Sequence, residues 1–464
     1  MTPASEMQMP TTAIGVDVTE GGSRVRRGWL RCQIGRNVEF STERLETYCF
    51  TDWKPIVYDA MLLAAAVEFG DRTQRRSANR WDREIELRIP VHDPDRWNNG
   101  RVLNALHDAL DFLTGDRWQV TFTLRATPAN PPPQCRFDLP QGLQAVIPFS
   151  DGLDSRAVAG LMALELGDKL IRVRLGSKTS DTRTLPRKKH PFTSVPYRVR
   201  AGAQEFVESS ARSRGFKFAL ISGLAAYLAK ASYIVVPESG QGSLGPALVT
   251  VGQAYEDYRS HPLFTDRMES FLTALLGHQI RFQFPRIWHT KAETLAAYVK
   301  ACGPDSGWSD TWSCWQQTRQ VSVEHKKRQC GICAACILRR MSVHAAGLNE
   351  SEKTYVWEDL GAASFRDGAA ATFDPKKITG KLRQYAIAGA LHLDHLAALL
   401  SSQANLRTLD LTAFQLGKSL GLPEKEVRTK LARLLTQHER EWKDFVNSLG
   451  KNSFVAGWAT HGSV

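Results

Sequence analysis

The segment "CGICAACILRR", residues 330–340, sets three cysteines at every third position, and "TWSCW" supplies a fourth upstream at Cys314. Few features restrict a chain more. Four thiolates can close a tetrahedral shell around zinc with arms of about 2.3 Å, and a shell with no open position is structural rather than catalytic. Cys314, Cys330, Cys333 and Cys336 are therefore the expected zinc ligands. An iron–sulfur cluster is the alternative for a C-x2-C-x2-C run, although the nearby fourth cysteine of the ferredoxin type is missing. Cys32, Cys49, Cys135 and Cys302 are scattered along the chain. A reducing compartment favours a metal site over four disulfides.

At 464 residues the chain has room for about three domains. The first 25 or so residues are polar and rich in Gly and Thr, a composition that predicts disorder. Helix 55–69, strand 85–91, helix 102–113 and strand 118–124 follow, with Trp118, Val120, Phe122 and Leu124 alternating against polar residues. That pattern predicts a small α+β unit with half-buried strands and no catalytic constellation. The Pro-rich connector "ATPANPPPQ", 126–134, ends it. Strands then alternate with helices: strand 144–148, helix 155–166, strand 169–175, helix 216–230 and strand 232–237, with another near 280–284. Such alternation predicts an α/β fold with a parallel sheet. Beyond 348 the pattern is helical. The expected domains are thus an N-terminal α+β accessory unit over 1–138, an α/β core over 139–347 and a helical domain over 348–464. The stretch "LTAFQLGKSLGLPEKEVRTKLARLL" has the outline of a helix-turn-helix. Glu424 and Glu426 stand where base-reading residues belong, so the favoured reading is two helices packed on a neighbouring domain.

The core opens with "LQAVIPFSDGLDSRAVAG", an apolar strand that runs through a Ser/Asp/Gly loop into a helix. Open parallel sheets bind ligands beyond the carboxyl ends of their strands. Free N–H groups and the dipole of a helix N-terminus attract anions there. Ser150 and Ser155 offer hydroxyls, and Gly152 permits close backbone approach. A Gly-Lys-Ser/Thr ending is absent, so this is not a Walker loop. The two carboxylates, Asp151 and Asp154, need a cation or a bonded N–H to sit beside phosphate.

The order Ser-x-Gly-x-Asp-Ser resembles the PP-loop, usually Ser-Gly-Gly-x-Asp-Ser. Its family cleaves ATP between the α and β phosphates and transfers AMP to a substrate oxygen. A PP-loop followed by four clustered cysteines resembles the layout of the 7-cyano-7-deazaguanine synthase family, QueC. The stretches "RSRGFKFALISGLAAYLAKASYIVV", "HPLFTDRMESFL", "PRIWHTKAETL" and "TWSC…CGICAACILRR" are similar to that family's segments, so the resemblance spans about 140–347. It implies adenylation of the carboxylate of 7-carboxy-7-deazaguanine, attack by an amine, and a second ATP for nitrile formation, with ATP, Mg2+ and Zn2+ as cofactors. Ser150, Asp151, Gly152, Leu153, Asp154 and Ser155 would form the phosphate loop, and Ser177 would face the adenosine. Arg214 and Lys291 would neutralise phosphate or the substrate carboxylate, with Asp154 completing the catalytic set. Glu238, together with Lys291, would bind the guanine-like substrate.

The chain departs from the family in three ways. It carries long extensions at both ends, it inserts "QQTRQVSVEHKKRQ" between the cysteines, and Gly215 follows Arg214 where the family has Asn. Long variants resemble the QueC-like proteins of bacterial anti-phage defence systems (Qat and certain CBASS operons), in which the amine would come from a partner protein of the same operon. The competing classes are a tRNA-modifying PP-loop enzyme and a nucleotide-sensing scaffold with a degenerate loop. A net charge of +12 suits anionic partners. Yet the densest basic run, "RTLPRKKH" at 183–190, has no interleaved aromatics, so nucleic acid is not the favoured partner. No apolar run approaches the ~20 residues of a membrane span, and the N-terminus lacks the order of a signal peptide. The expected location is cytoplasmic.

Overall fold

A computed structural model describes residues 13–49, 51–76, 82–129, 142–150, 152–176, 193–208, 212–252, 254–316 and 321–459. The N-terminal unit contains β1 (Ile14–Thr19), β2 (Leu30–Gln33), β3 (Val38–Phe40), α1 (Pro55–Thr73), β4 (Glu84–Val91), α2 (Gly100–Thr114) and β5 (Arg117–Leu124). Its sheet has the order β2-β1-β4-β5. Two expectations need correction here. The stretch expected to be disordered holds β1, an inner strand of the sheet. Val16 and Val18 are buried on one face, and Asp17 is buried on the other. Asp17 accepts two hydrogen bonds from Arg88, at 2.9 and 2.6 Å, so a charge that made the segment look solvated is paired inside the sheet. The unit also differs from α+β, because all three strand pairs are parallel. β5 buries alternate residues only, the pattern expected of an antiparallel strand facing water, because it is an edge strand with one covered face. Leu124, expected inside, is 71% exposed.

The core contains β6 (Ala145–Pro148), α3 (Leu153–Leu166), β7 (Leu170–Leu175), β8 (Thr193–Val195), β9 (Tyr197–Val199), α4 (Arg214–Ala229), β10 (Tyr233–Val235), α5 (Pro262–Leu276), β11 (Arg281–Gln283) and α6 (Lys291–Cys302). Its five-stranded sheet has the order β11-β10-β6-β7-β8, with every pairing parallel, as the alternation predicted. The chain winds outward from β6 through β7 to β8, then returns to place β10 on the opposite side of β6. The topological switch point lies between β6 and β10, where a crevice opens beyond the strand ends. The loop at 149–152 leaves β6 there, and Glu238 follows β10 at the same edge. β3 pairs antiparallel with β9. α1 is buried nearly all round because it packs between β4 and α4. One apolar cluster therefore runs from Val16 to Ile280 and joins the N-terminal unit to the core.

The C-terminal third adds α7 (Ala334–Ala345), α8 (Gly380–Ala397), α9 (Gln403–Leu420) and α10 (Glu424–Ser448). The helix-turn-helix outline corresponds to α9 and α10. α10 buries Val427, Leu431, Leu434 and Trp442 against the rest of the protein, as the packing reading expected. One cluster joins the four clustered cysteines to Trp357, Leu382, Trp442 and Phe454, and another joins Leu244 and Ile287 to Leu416 and Leu434. Packing is continuous across residue 347. Among the described residues no helix is long and apolar enough to cross a membrane.

α3 presents Gly160 to α6, and a Cβ there would lie 2.1 Å from the Tyr298 ring. The ring is held from behind, since its hydroxyl donates to the Ser306 carbonyl at 2.8 Å. Gly160→Ala should therefore overpack this contact, cost about 1–3 kcal/mol, and lower the thermal unfolding midpoint measured by calorimetry.

Candidate active site and metal centre

The loop after β6 is closed by its own hydroxyls. Ser150 Oγ and Ser155 Oγ lie 2.8 Å apart, and Ser155 Oγ donates to the carbonyls of Ser150 and Gly152 at 3.0 and 3.1 Å. The Gly152 N–H donates to Ser150 Oγ at 3.1 Å. Gly152 is the N-cap of α3 and provides no side-chain cap. The first turn of this fourteen-residue helix is buried, and its opening N–H groups have no partner inside the helix. Leu153 is buried and anchors the turn in a cluster with Leu295, Tyr298 and Trp308. Asp151 and Ser177 lie outside the described residues.

Asp154, in the first turn of α3, and Lys291, the first residue of α6, meet as a buried ion pair: the Lys291 ammonium donates to Asp154 Oδ2. The other carboxylate oxygen, Oδ1, is buried with no hydrogen-bond partner among the described residues. An ammonium has three N–H donors and a carboxylate about four acceptor positions, so this pair retains capacity for a ligand. α6 begins with a full capping box. Thr290 Oγ1 accepts from the Glu293 N–H at 3.1 Å, and Glu293 Oε2 accepts from the Thr290 N–H at 2.8 Å.

Glu238 is half-buried at the end of the β10 segment. Burial, and then the neighbouring charge of Asp154, push its carboxyl up to about 7, against the pull of Lys291 and Arg259. Arg259 forms an ion pair with Asp257. Arg214 starts α4 as an exposed residue with its guanidinium over Phe218, and the structure does not bring it onto the Asp154–Lys291 pair. It is close enough to Arg259 and Glu238 to feel their charge, and desolvation, then Arg259, push its pKa down. The Gly215 substitution has a packing cause: a Cβ there would lie 2.7 Å from Arg259 Cα, so only glycine lets the 257–261 segment approach α4. Sequence reasoning missed Asp257, Arg259 and Gln241. Gln241 stood within the Gly-rich loop "ESGQGSLG", but Asp257 and Arg259 sit in no recognisable pattern.

The four clustered cysteines converge, with their sulfurs within 4.8 Å of one another and all four residues buried. Cys330 Sγ and Cys336 Sγ are 3.8 Å apart, which is the edge of a tetrahedron with arms of about 2.3 Å. Backbone N–H groups of Cys330, Cys333 and Cys336 donate to the sulfurs of Cys314, Cys330 and Cys333 at 3.2, 3.3 and 3.4 Å. Donors of this kind favour thiolates, and the set fits a closed zinc shell. Two buried side chains fasten the distant ligand. Gln329 Oε1 accepts from the N–H groups of Ser313 and Cys314 at 2.8 and 3.1 Å. The fully buried Arg339 donates to Thr311 O at 3.1 Å and to Glu350 Oε1 at 2.5 Å. The centre adjoins the loop, because a Cβ on Gly152 would lie 3.9 Å from the Trp312 carbonyl, two residues before Cys314.

A parallel α/β sheet with a Ser/Gly/Asp loop at its switch point and a four-cysteine cluster beside it is consistent with a PP-loop core carrying extensions. Residues 243–347 match the family model of QueC, the queuosine biosynthesis protein QueC. Over that segment, which holds Lys291 and all four clustered cysteines, the chain is QueC-like. The loop at 149–155, Arg214 and Glu238 precede the matched residues. A comparison with curated proteins found no match.

Elemental analysis of the purified protein should find one zinc per chain, and Cys336→Ser should lose it; iron in its place would identify a cluster instead. Arg339→Met leaves Glu350 buried without its cation and should cost about 3–5 kcal/mol, read as a lower thermal midpoint.

Proposed function

We propose that this protein is an ATP-dependent ligase of the QueC type, which adenylates the carboxylate of 7-carboxy-7-deazaguanine and transfers the acyl group to an amine. The observation that carries this reading is the buried Asp154–Lys291 pair at the head of α3, which joins the loop to the QueC-like segment. A free carboxylate is a poor acyl donor because its leaving group would be oxide. One of its oxygens attacks the α-phosphorus of ATP, the α–β bond breaks, and pyrophosphate leaves. The amine nitrogen then attacks the acyl carbon, AMP leaves with the bonding pair, and the nitrogen loses a proton.

The protein's part is placement and charge stabilisation. Ser150, Gly152, Leu153 and Ser155 frame the pyrophosphate against the uncapped first turn of α3. Lys291 faces the α-phosphate with the N–H groups left free by Asp154. The unpartnered Asp154 Oδ1 fits a magnesium ion, which when bound would neutralise phosphate charge there. Glu238 accepts the N–H edge of the guanine-like base, with Arg259 and Arg214 supplying positive charge near the substrate carboxylate. The resemblance would add Asp151 to the phosphate loop and Ser177 to the adenosine side. The acceptor is ammonia or the amine of a partner protein. The extensions, which offer surface for such a partner, support the second within an anti-phage operon.

Pyrophosphate release, measured with ATP and 7-carboxy-7-deazaguanine, should fall by roughly 10²–10³ in Lys291→Met and Asp154→Ala; equal rates in wild type and variants would overturn the assignment. Intact masses of ammonia-containing and operon-neighbour reactions identify the acceptor, and an unmodified neighbour beside a nitrile product would exclude the partner protein. Glu238 can accept two N–H groups, one at each oxygen, only when ionised, and burial and Asp154 push its carboxyl up to about 7. The kcat/KM for the deazaguanine acid should therefore rise with pH through about 7, and Glu238→Gln should flatten that limb.

A further inference from the structure

We infer that α10, in the C-terminal extension, is the positioning element that holds Lys291 in register over the phosphate loop. This rests on the reading of Lys291 as the phosphate-facing cation. The first residue of a helix has an N–H with no partner inside the helix, so its orientation depends on what the side chains around it supply. Arg286 reaches the first turn of α6 at Glu293 O and Thr294 Oγ1, and three further supports lead to α10. Thr290 Oγ1, which caps the helix, donates to Glu441 Oε1 at 2.6 Å. Glu293, the other half of the capping box, forms an ion pair with Arg433, whose Nη1 also donates to the Trp288 carbonyl at 3.0 Å. The Lys291 N–H donates to Gln241 Oε1 at 2.7 Å, and the Gln241 amide nitrogen lies 2.7 Å from His438 Nδ1.

The imidazole sets the direction of this chain. His438 is fully buried, and desolvation lowers its pKa to about 4, so the ring is neutral. A neutral ring has one donor and one acceptor. Its Nε2 lies 2.9 Å from the Leu393 carbonyl, which can only accept. Nε2 therefore carries the proton, and Nδ1 must accept from the Gln241 amide. That leaves the Gln241 oxygen facing the Lys291 N–H. Three neighbouring positions, 290, 291 and 293, are thus tied to α10 by separate contacts, two of them through buried polar groups. His438, Glu441 and Arg433 are positioning residues, because none of them touches the loop.

The test compares the full-length protein with the double variant Arg433→Met/Glu441→Ala, with Glu441→Gln as the conservative version that still offers an acceptor to Thr290, and with Val446→Ala as a packing control. Val446 lies on the same helix, is buried, and packs in the cluster that holds the cysteines rather than against the capping residues. Two readouts are taken below the unfolding range: pyrophosphate release, and acylation of Lys291 by an amine-reactive ester quantified by peptide mass spectrometry. The double variant should lose ~10–100-fold in kcat with the ATP KM little changed, and Lys291 labelling should rise ~10-fold as the amine leaves its buried partner. Glu441→Gln should stay near wild type. Unchanged Lys291 labelling in the double variant overturns the inference whatever kcat does. Equal labelling and kcat loss in Val446→Ala also overturns it, by reducing the effect to stability. If the wild type releases no pyrophosphate, the ligase reading fails, and the labelling ratio alone still decides whether α10 places Lys291.

Discussion

A lysine ammonium and an aspartate carboxylate are buried against each other where β6 gives way to α3. Neither charge could stay there alone, since an unpaired buried ion costs several kcal/mol. The pair therefore requires that two segments 137 residues apart arrive at one point. β6 sits at the centre of its sheet, so that Asp154 falls at the switch point. α3 and α6 approach closely, which Gly160 permits. The start of α6 is gripped from outside. Asp154 keeps one oxygen without a partner among the described residues in this arrangement, which leaves acceptor capacity at the crevice.

Four cysteines form a closed shell with no open position, which suits a structural site. Their sulfurs gather Cys314 and the 330–336 segment into a knot beside the loop, and Arg339 and Gln329 hold the distant ligand by its backbone. α8 lies directly on this knot, since a Cβ at Gly389 would come within 2.7 Å of the Ala334 nitrogen. The C-terminal helices therefore share a core with the metal segment and reach the opposite face of the site through α10. The C-terminal helices thus pack against the elements that carry the Asp154–Lys291 pair.

Much of the site could be seen in the sequence where one element carries the whole signal. The cysteines at 330, 333 and 336 share a turn, so their spacing declares them. Thr290 and Glu293 form a capping box within four residues. The loop follows its strand and opens its helix in one continuous run. β1 was hidden because Asp17 and Gly15 suggest solvent, and only its neighbour Arg88 makes the charge tolerable inside a sheet. The parallel direction of the N-terminal strands was hidden as well, because β5 alternates as an edge strand does in either kind of sheet. Arg214 was placed at the site on likeness alone, and Arg259, which no pattern in the sequence marks, also acts on the charge of Glu238.

The sequence by itself determined the tetrathiolate cluster, the strand-loop-helix that presents Asp154, and the capped helix start that presents Lys291. Each depends on residues a few positions apart, and local geometry with periods of 2 or 3.6 residues is enough to relate them. Only the tertiary structure decided that Asp154 meets Lys291, that Glu238 is raised toward neutrality by burial and then by the same carboxylate, and that Gln241 and His438, 197 residues apart, meet in one hydrogen-bonded chain. Those contacts join elements whose order along the chain says nothing about their distance in space. Burial then assigns their charges and tautomers, because each polar group taken out of water must find a partner in whatever the fold has brought beside it.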